Sequence, residues 1–202
     1  ENTYLLHDET KQAVLIDCGV LHPQEKQAIT DYVTAHQLQI TQAWQTHGHF
    51  DHIFGCQWAY ETFGICPMLH PADEHRYLHA GEELQLFLHQ RVEIPVPSLA
   101  AYLVDGQMLS FGNHDFEVIA TPGHTPGGVC FYCASEKVLI TGDSLFEGSI
   151  GRCDLPEGDM DTLIQSLQTR VMTLPDDVRI YPGHGRSSTI GHERTSNPYL
   201  IS

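Results

Sequence analysis

Apolar residues in this chain fall in short blocks separated by turn-forming polar, Gly and Pro residues. Residues 4–6 and 13–16 are apolar runs joined by Asp8-Glu9-Thr10-Lys11, a pattern that predicts a β-hairpin. Asp17-Cys18-Gly19 ends its second strand. Pro23 at a helix start and apolar Ala28, Ile29, Tyr32 and Val33 predict a helix over 23–36 with those four on its buried face. A strand over 38–44 follows, then a helix over 52–63 stopped by Gly64, and a short strand over 65–69. Residues 71–88 predict one or two helices, and 91–103, with Pro95 and Pro97, predict irregular chain. We read 70–105 as a rim or flap, and its His70, His75, His79 and His89 as solvated helix-face residues rather than ligands.

The second half repeats the outline of strands, a His- or Asp-bearing loop, then a helix. Hairpins are expected over 107–111 with 116–120, around Gly112-Asn113, and over 129–133 with 138–140. A loop covers 149–157, and a helix covers 159–172, with Asp159 or Asp161 as its cap. The last strand covers 178–181, and Ser188 or Thr189 can cap a closing short helix.

These predicted elements place the chemistry. Thr46-His47-Gly48-His49-Phe50-Asp51-His52 follows the strand over 38–44 and packs three histidines and an aspartate into 47–52. In extended chain, residues two apart point the same way, so His47 and His49 can reach one point. A helix beginning near 52 would swing Asp51 and His52 toward a second point. Three further strand ends carry His124, between Pro-Gly and Thr-Pro-Gly, then Asp143 and His184. Open α/β sheets place their sites at such strand ends. Imidazole and carboxylate suit zinc, and also iron or manganese. Five histidines and two aspartates exceed what one zinc takes and suit two ions about 3.5–4 Å apart, with Asp143 as the bridging carboxylate.

Composition narrows the classes. The chain has 202 residues, 41% hydrophobic and 18% charged, which reads as one soluble globular domain. With 26 acidic against 10 basic residues and no basic run, the composition argues against a nucleic-acid surface. No apolar run is long enough to span a bilayer. The six cysteines read as buried free thiols of a cytoplasmic protein, and Cys130 and Cys133 as facing opposite sides of a strand, unable to share a metal. The sequence opens at Glu1 inside what reads as a strand, leaving room for residues upstream.

The motifs T-H-G-H-F-D-H at 46–52, G-H-T-P-G at 123–127, G-D at 142–143 and P-G-H-G at 182–185 together resemble the metallo-β-lactamase-fold hydrolases. The resemblance implies an α/β, four-layer αββα sandwich. It assigns His47, His49 and His124 to one metal ion, Asp51, His52 and His184 to a second, and Asp143 to both. Asp143 stands where common zinc lactamases carry a cysteine, and His49 where flavodiiron members carry a glutamate. Residues 142–156 and 188–199 resemble the short glyoxalase II-like hydrolases; the helical carboxyl-terminal domain of full glyoxalase II, which helps bind glutathione, has no counterpart in this sequence.

The implied activity is hydrolysis of a small-molecule thioester, with a hydroxide shared by two divalent ions, zinc first, as nucleophile and Asp51 orienting it or collecting its proton. Asp17 is read either as support for the ligand loop or as a plain turn aspartate, and Arg152 as an ion-pair partner of Asp154 ahead of a substrate contact. The alternative is a mononuclear iron persulfide dioxygenase of the same fold, using two of the histidines with Asp143. Non-catalytic binding is disfavoured by the completeness of the ligand set.

Overall fold

The computed structural model describes residues 1–90 and 92–201, without the side chains of residues 86 and 87. Arg91, the first residue of the stretch expected to be irregular, lies outside them. The first half runs β1 (Tyr4–His7), β2 (Gln12–Ile16), α1 (Pro23–His36), β3 (Gln39–Trp44), α2 (Phe50–Ile53), α3 (Cys56–Phe63) and β4 (Pro67–Leu69). A 3₁₀ turn at Pro71–Asp73, α4 (Glu74–Leu78), α5 (Ala80–Leu88) and β5 (Ala101–Tyr102) complete it. The second half runs β6 (Met108–Phe111), β7 (His114–Ala120), β8 (Val129–Cys133), β9 (Val138–Gly142), β10 (Leu145–Phe146), β11 (Ser149–Ile150), α6 (Met160–Ser166), β12 (Arg179–Pro182), β13 (Ser188–Thr189) and α7 (Ile190–Ser196).

Two sheets result, in the orders β1-β2-β3-β4-β5 and β13-β12-β9-β8-β7-β6. Strand periodicity divides each into two faces. Val14, Ile16 and Trp44 of the first sheet meet Val118, Val129, Phe131 and Ile140 of the second in an inter-sheet core. Their neighbours Ala13, Leu15, Ala43 and Ile40 face outward, under Ile29 and Val33 of α1 and Cys56 and Ala59 of α3. Ile119, Cys130, Leu139 and Ile180 face outward under Leu163, Leu167 and Ile190. The layers are therefore helix, sheet, sheet, helix, as expected. Cys130 and Cys133 lie on opposite faces of β8, and all six cysteines are free.

Several expectations need correction. The helix expected over 52–63 is two helices, and the first begins at Phe50. Gly55 separates them, its N–H donating to the Cys18 carbonyl at 2.8 Å, so the chain turns where a continuous helix would leave that contact. On α1, Ile29 and Val33 pack inward, but Ala28 and Tyr32 are exposed; Tyr32 stacks on His36 with ring centroids 3.9 Å apart. Within 71–88 two helices form, as the sequence allowed, with a 3₁₀ turn ahead of them and a break at His79, which leaves helical geometry. The irregular stretch contains β5, which pairs in parallel with β4. The loop expected over 149–157 opens with β11, paired with β10. The helix expected to reach 172 ends at Ser166 and continues as a π turn over Leu167–Val171; Asp159 is its cap, accepting from the Thr162 N–H. Among the described residues no helix is long and apolar enough to cross a membrane.

Trp44 is fully buried between the sheets, with ring centroids 5.3 Å from Phe131 and 5.5 Å from Phe116. It ends β3, three residues before His47. Trp44→Ala should cost about 3–5 kcal/mol of unfolding free energy in urea titrations. A loss under about 1 kcal/mol would mean that this core does not join the sheets.

Candidate metal centre

The seven expected residues come together, at one end of the sandwich. β3 delivers 46–52, β7 delivers the loop bearing His124, β9 ends at Gly142, next to Asp143, and β12 ends at Pro182, two residues before His184. His47, His49 and His124 offer ligand atoms all within 4.8 Å of one another, and so do Asp51, His52 and His184. In the second group His184 Nε2 lies 3.1 Å from Asp51 Oδ2 and 3.3 Å from His52 Nε2. Asp143 stands between the groups. Its Oδ1 is 3.4 Å from His52 Nε2, and its Oδ2 is 3.5 Å from His184 Nε2 and 3.7 Å from His124 Nε2.

The histidines are aimed by their other nitrogens. His52 Nδ1 donates to Asp17 Oδ2 at 3.0 Å. His124 Nδ1 donates to the Arg152 carbonyl at 2.7 Å. Thr46 Oγ1 donates to Asp17 Oδ2 at 2.6 Å and so accepts from His47 Nδ1 at 3.0 Å. Each bond fixes a tautomer with the Nε2 lone pair directed inward, as histidine ligands require. The inward atoms His47 Nε2, His124 Nε2 and Asp143 Oδ1 are buried and have no hydrogen-bond partner. Orphaned buried acceptors are costly, and cations would satisfy this set. The residues present therefore fit two metal ions.

Electrostatics divides the groups. Burial, with neighbouring histidines, holds His47 and His49 well below the usual imidazole range, and burial also lowers His124. These three are neutral, with lone pairs available. For His52 burial opposes the charge, but Asp17 and Asp143 overcome it and push the imidazole well up. Burial likewise opposes ionisation of Asp51 and Asp143, yet the imidazoles beside them, His184 for Asp51 and His52 for Asp143, hold both carboxyls down.

The backbone permits this crowding. A side chain on Gly183 would meet Asp143 Oδ1 at 2.2 Å and His52 Cε1 at 2.7 Å. Asp17 takes a positive φ of 51°, unusual for a side-chain-bearing residue, at the end of β2. There its Oδ1 accepts from the Thr46 N–H at 2.7 Å, so the loop-supporting reading of Asp17 holds and the plain-turn reading does not. Arg152 pairs with Asp154 through two bonds of 2.8 and 3.0 Å. His75, His79 and His89 are exposed, and none of the four rim histidines joins a ligand group among the described residues.

One residue escaped sequence reasoning. Asp73, wholly buried at the end of the 3₁₀ turn, accepts from Gly48 N–H (2.8 Å), Thr125 Oγ1 (2.8 Å) and Gly127 N–H (2.7 Å). It joins the His47–His49 loop to the His124 loop. The available signal was Gly127 itself, where a side chain would strike Asp73 Oδ1 at 2.6 Å.

Beside these groups lies a cavity of about 460 Å³. Phe50, Phe146, Ile150 and Leu155 give it apolar walls, and Asp51, Asp143, His124 and His184 line the chemical end. A concave apolar site with a few convergent polar groups suits a small molecule.

Fold and site together define a metallohydrolase, and the chain belongs to the metallo-beta-lactamase superfamily, whose family model matches residues 1–184. Among curated proteins it is similar to hydroxyacylglutathione hydrolase GloC of Haemophilus influenzae, 34% identical over all of this chain and 93% of the relative. Among solved structures it is similar to the BLEG-1 B3 metallo-beta-lactamase, 33% identical with a TM-score of 0.90 over 100% of this chain and 94% of that one. It is also similar to TTHA1623 in a di-iron-bound form, 35% identical with a TM-score of 0.86 over 98% and 94%.

Asp73→Ala leaves three buried donors without an acceptor, at about 1–3 kcal/mol each. Chemical denaturation of the metal-free protein should show a loss of at least about 3 kcal/mol, and Asp73→Asn, which keeps one acceptor oxygen, a smaller one. A wild-type midpoint for Asp73→Ala would refute the clamp.

Proposed function

We propose that this chain is a binuclear metal-dependent hydrolase of small thioesters. The observation that carries this reading is the meeting of two ligand groups at one carboxylate, Asp143, at the end of an apolar cavity. In it, His47, His49 and His124 would hold one ion, Asp51, His52 and His184 the other, and Asp143 both. Similarity to GloC supports the thioester class. Zinc suits the donor set, and iron or manganese is also compatible with it, as the di-iron form of TTHA1623 illustrates. Residues 1–202 would act as one domain, with 70–105 as the rim of its cavity.

When bound, the ions supply Lewis acidity toward a carbonyl oxygen and an activated water as nucleophile. The chain does the rest. Phe50, Phe146, Ile150 and Leu155 hold the acyl and thiol portions out of bulk water. Asp51, whose side chain is about one-third exposed, presents its carboxylate to the cavity, where it orients the attacking water or takes its proton. Asp17 and the Arg152 carbonyl keep His52 and His124 in their ligating tautomers.

The second reading, a mononuclear iron persulfide dioxygenase, uses a subset of the same side chains, two histidines and Asp143. The unused partners in the Asp51–His52–His184 group favour the binuclear reading over it.

Protein purified without added metal should contain two divalent ions per chain and hydrolyse S-lactoylglutathione. Chelation should abolish the activity and added zinc restore it. Asp51→Ala should lower kcat/KM roughly 10²–10⁴-fold. One iron per chain with oxygen uptake on glutathione persulfide would establish the second reading instead. Turnover of a chromogenic β-lactam but no thioester would overturn the substrate class and keep the binuclear centre.

A further inference from the structure

His47, His52 and His124 each have an acceptor on the nitrogen that faces away from the ligand groups: Thr46, Asp17 and the Arg152 carbonyl. His49 has no hydrogen bond of that kind. What it has is Glu83, from α5, whose Oε1 lies 3.2 Å from His49 Nε2. Both side chains are largely out of water, 6% and 11% exposed. His49 Nε2 and Glu83 Oε2 are both buried, and the Glu83 carboxylate also accepts from the Phe50 backbone.

Glu83 does not sit there by chance of a flexible rotamer. Arg76 of α4, 9% exposed, donates through Nη1 to Glu83 Oε1 at 3.1 Å. Through Nη2 it donates to Glu157 Oε2 at 2.8 Å and to the Pro156 carbonyl at 3.2 Å. Residues 156 and 157 belong to the same loop as Arg152, whose carbonyl orients His124. One guanidinium thus pins the segment facing His49 to the segment facing His124, across the rim of the cavity.

We propose that Glu83 is a positioning residue that orients His49 for metal binding, with Arg76 coupling it to the loop that orients His124. The proposal rests on the reading of His49 as a metal ligand. Acceptance of the His49 Nε2–H by Glu83 leaves the other ring nitrogen of His49 as its ligating atom. It also makes the 70–105 segment part of the metal centre rather than a wall beside it. Carboxylates in this role raise ligand basicity and fix ring orientation, and losing one typically costs 10–100-fold in metal affinity.

The test uses the full chain, metal-free and cobalt-loaded, as wild type, Glu83→Ala, Glu83→Gln and Glu83→Met. Metal affinity is measured by chelator competition, ligand geometry by the visible cobalt spectrum, and folding by melting of the metal-free protein. Glu83→Ala should weaken one of the two ions about 10–100-fold and alter the cobalt bands while the metal-free melting temperature stays near wild type. Glu83→Gln, which retains an acceptor oxygen, should recover much of the affinity. Glu83→Met keeps the bulk without the acceptor and replaces the alanine variant if that one fails to fold. Wild-type affinity and spectrum in a folded Glu83→Ala or Glu83→Met would overturn the proposal. Wild-type protein that binds two ions but cleaves no thioester would overturn the substrate reading and leave this one standing.

Discussion

Two dehydrated carboxylates hold the site in shape. Asp17 and Asp73 are each fully buried, and among the described residues neither pairs with a lysine or arginine. Their charge is met by the ligand loops: Asp17 by Thr46 and His52, Asp73 by Gly48, Thr125 and Gly127. A buried carboxylate deprived of its donors is penalised by several kcal/mol. The loops therefore cannot drift from these anchors without exposing an unsatisfied charge. Asp17 fixes the first loop from below, at the end of β2, and Asp73 ties it sideways to the loop of His124.

The sandwich makes that arrangement reachable. β2 and β3 run parallel in one sheet, and β9 and β12 run parallel in the other, so their ends gather ligands from both sheets at one edge. Packing of Trp44 and Ile16 against Phe131 and Ile140 brings the sheets close enough for Asp143 to stand within 3.7 Å of histidines from three different loops. The site is thus a consequence of sheet packing, and its local motifs supply only the side chains.

That division explains what the sequence disclosed. The ligands themselves were legible because they are local: two histidines two apart, an aspartate and a histidine at the start of a helix, single residues at strand ends. The strands were legible from short runs of apolar residues bounded by turn-forming residues. Asp73 and Glu83 were not, because each meets its partner across 25 or more residues and nothing in Pro-Ala-Asp or Gly-Glu-Glu marks which carboxylate turns inward. The buried face of α1 was misread for a related reason. Apolar character placed Tyr32 inside, but its ring finds His36 and His7 on the surface instead. β5 is two residues long and owes its pairing to β4, so periodicity had nothing to detect.

Charge connects the anchors to the proposed ions. Asp17 and Asp143 push the His52 imidazole well above its usual range, against the effect of its burial. An ion held by His52 competes with a proton for its ring nitrogen, so its binding strengthens as pH rises, whereas burial keeps the histidines of the first group low and free of such competition near neutrality. Two divalent ions would bring four positive charges. Asp17, Asp51, Asp73 and Asp143 bring four negative ones, and Glu83 is already matched by Arg76. On this count the four carboxylates around the site match the charge of a pair of divalent cations. The same burial that makes Asp17 and Asp73 rigid anchors then makes them long-range counter-charges, acting through a medium of low dielectric constant in which their field is only weakly screened.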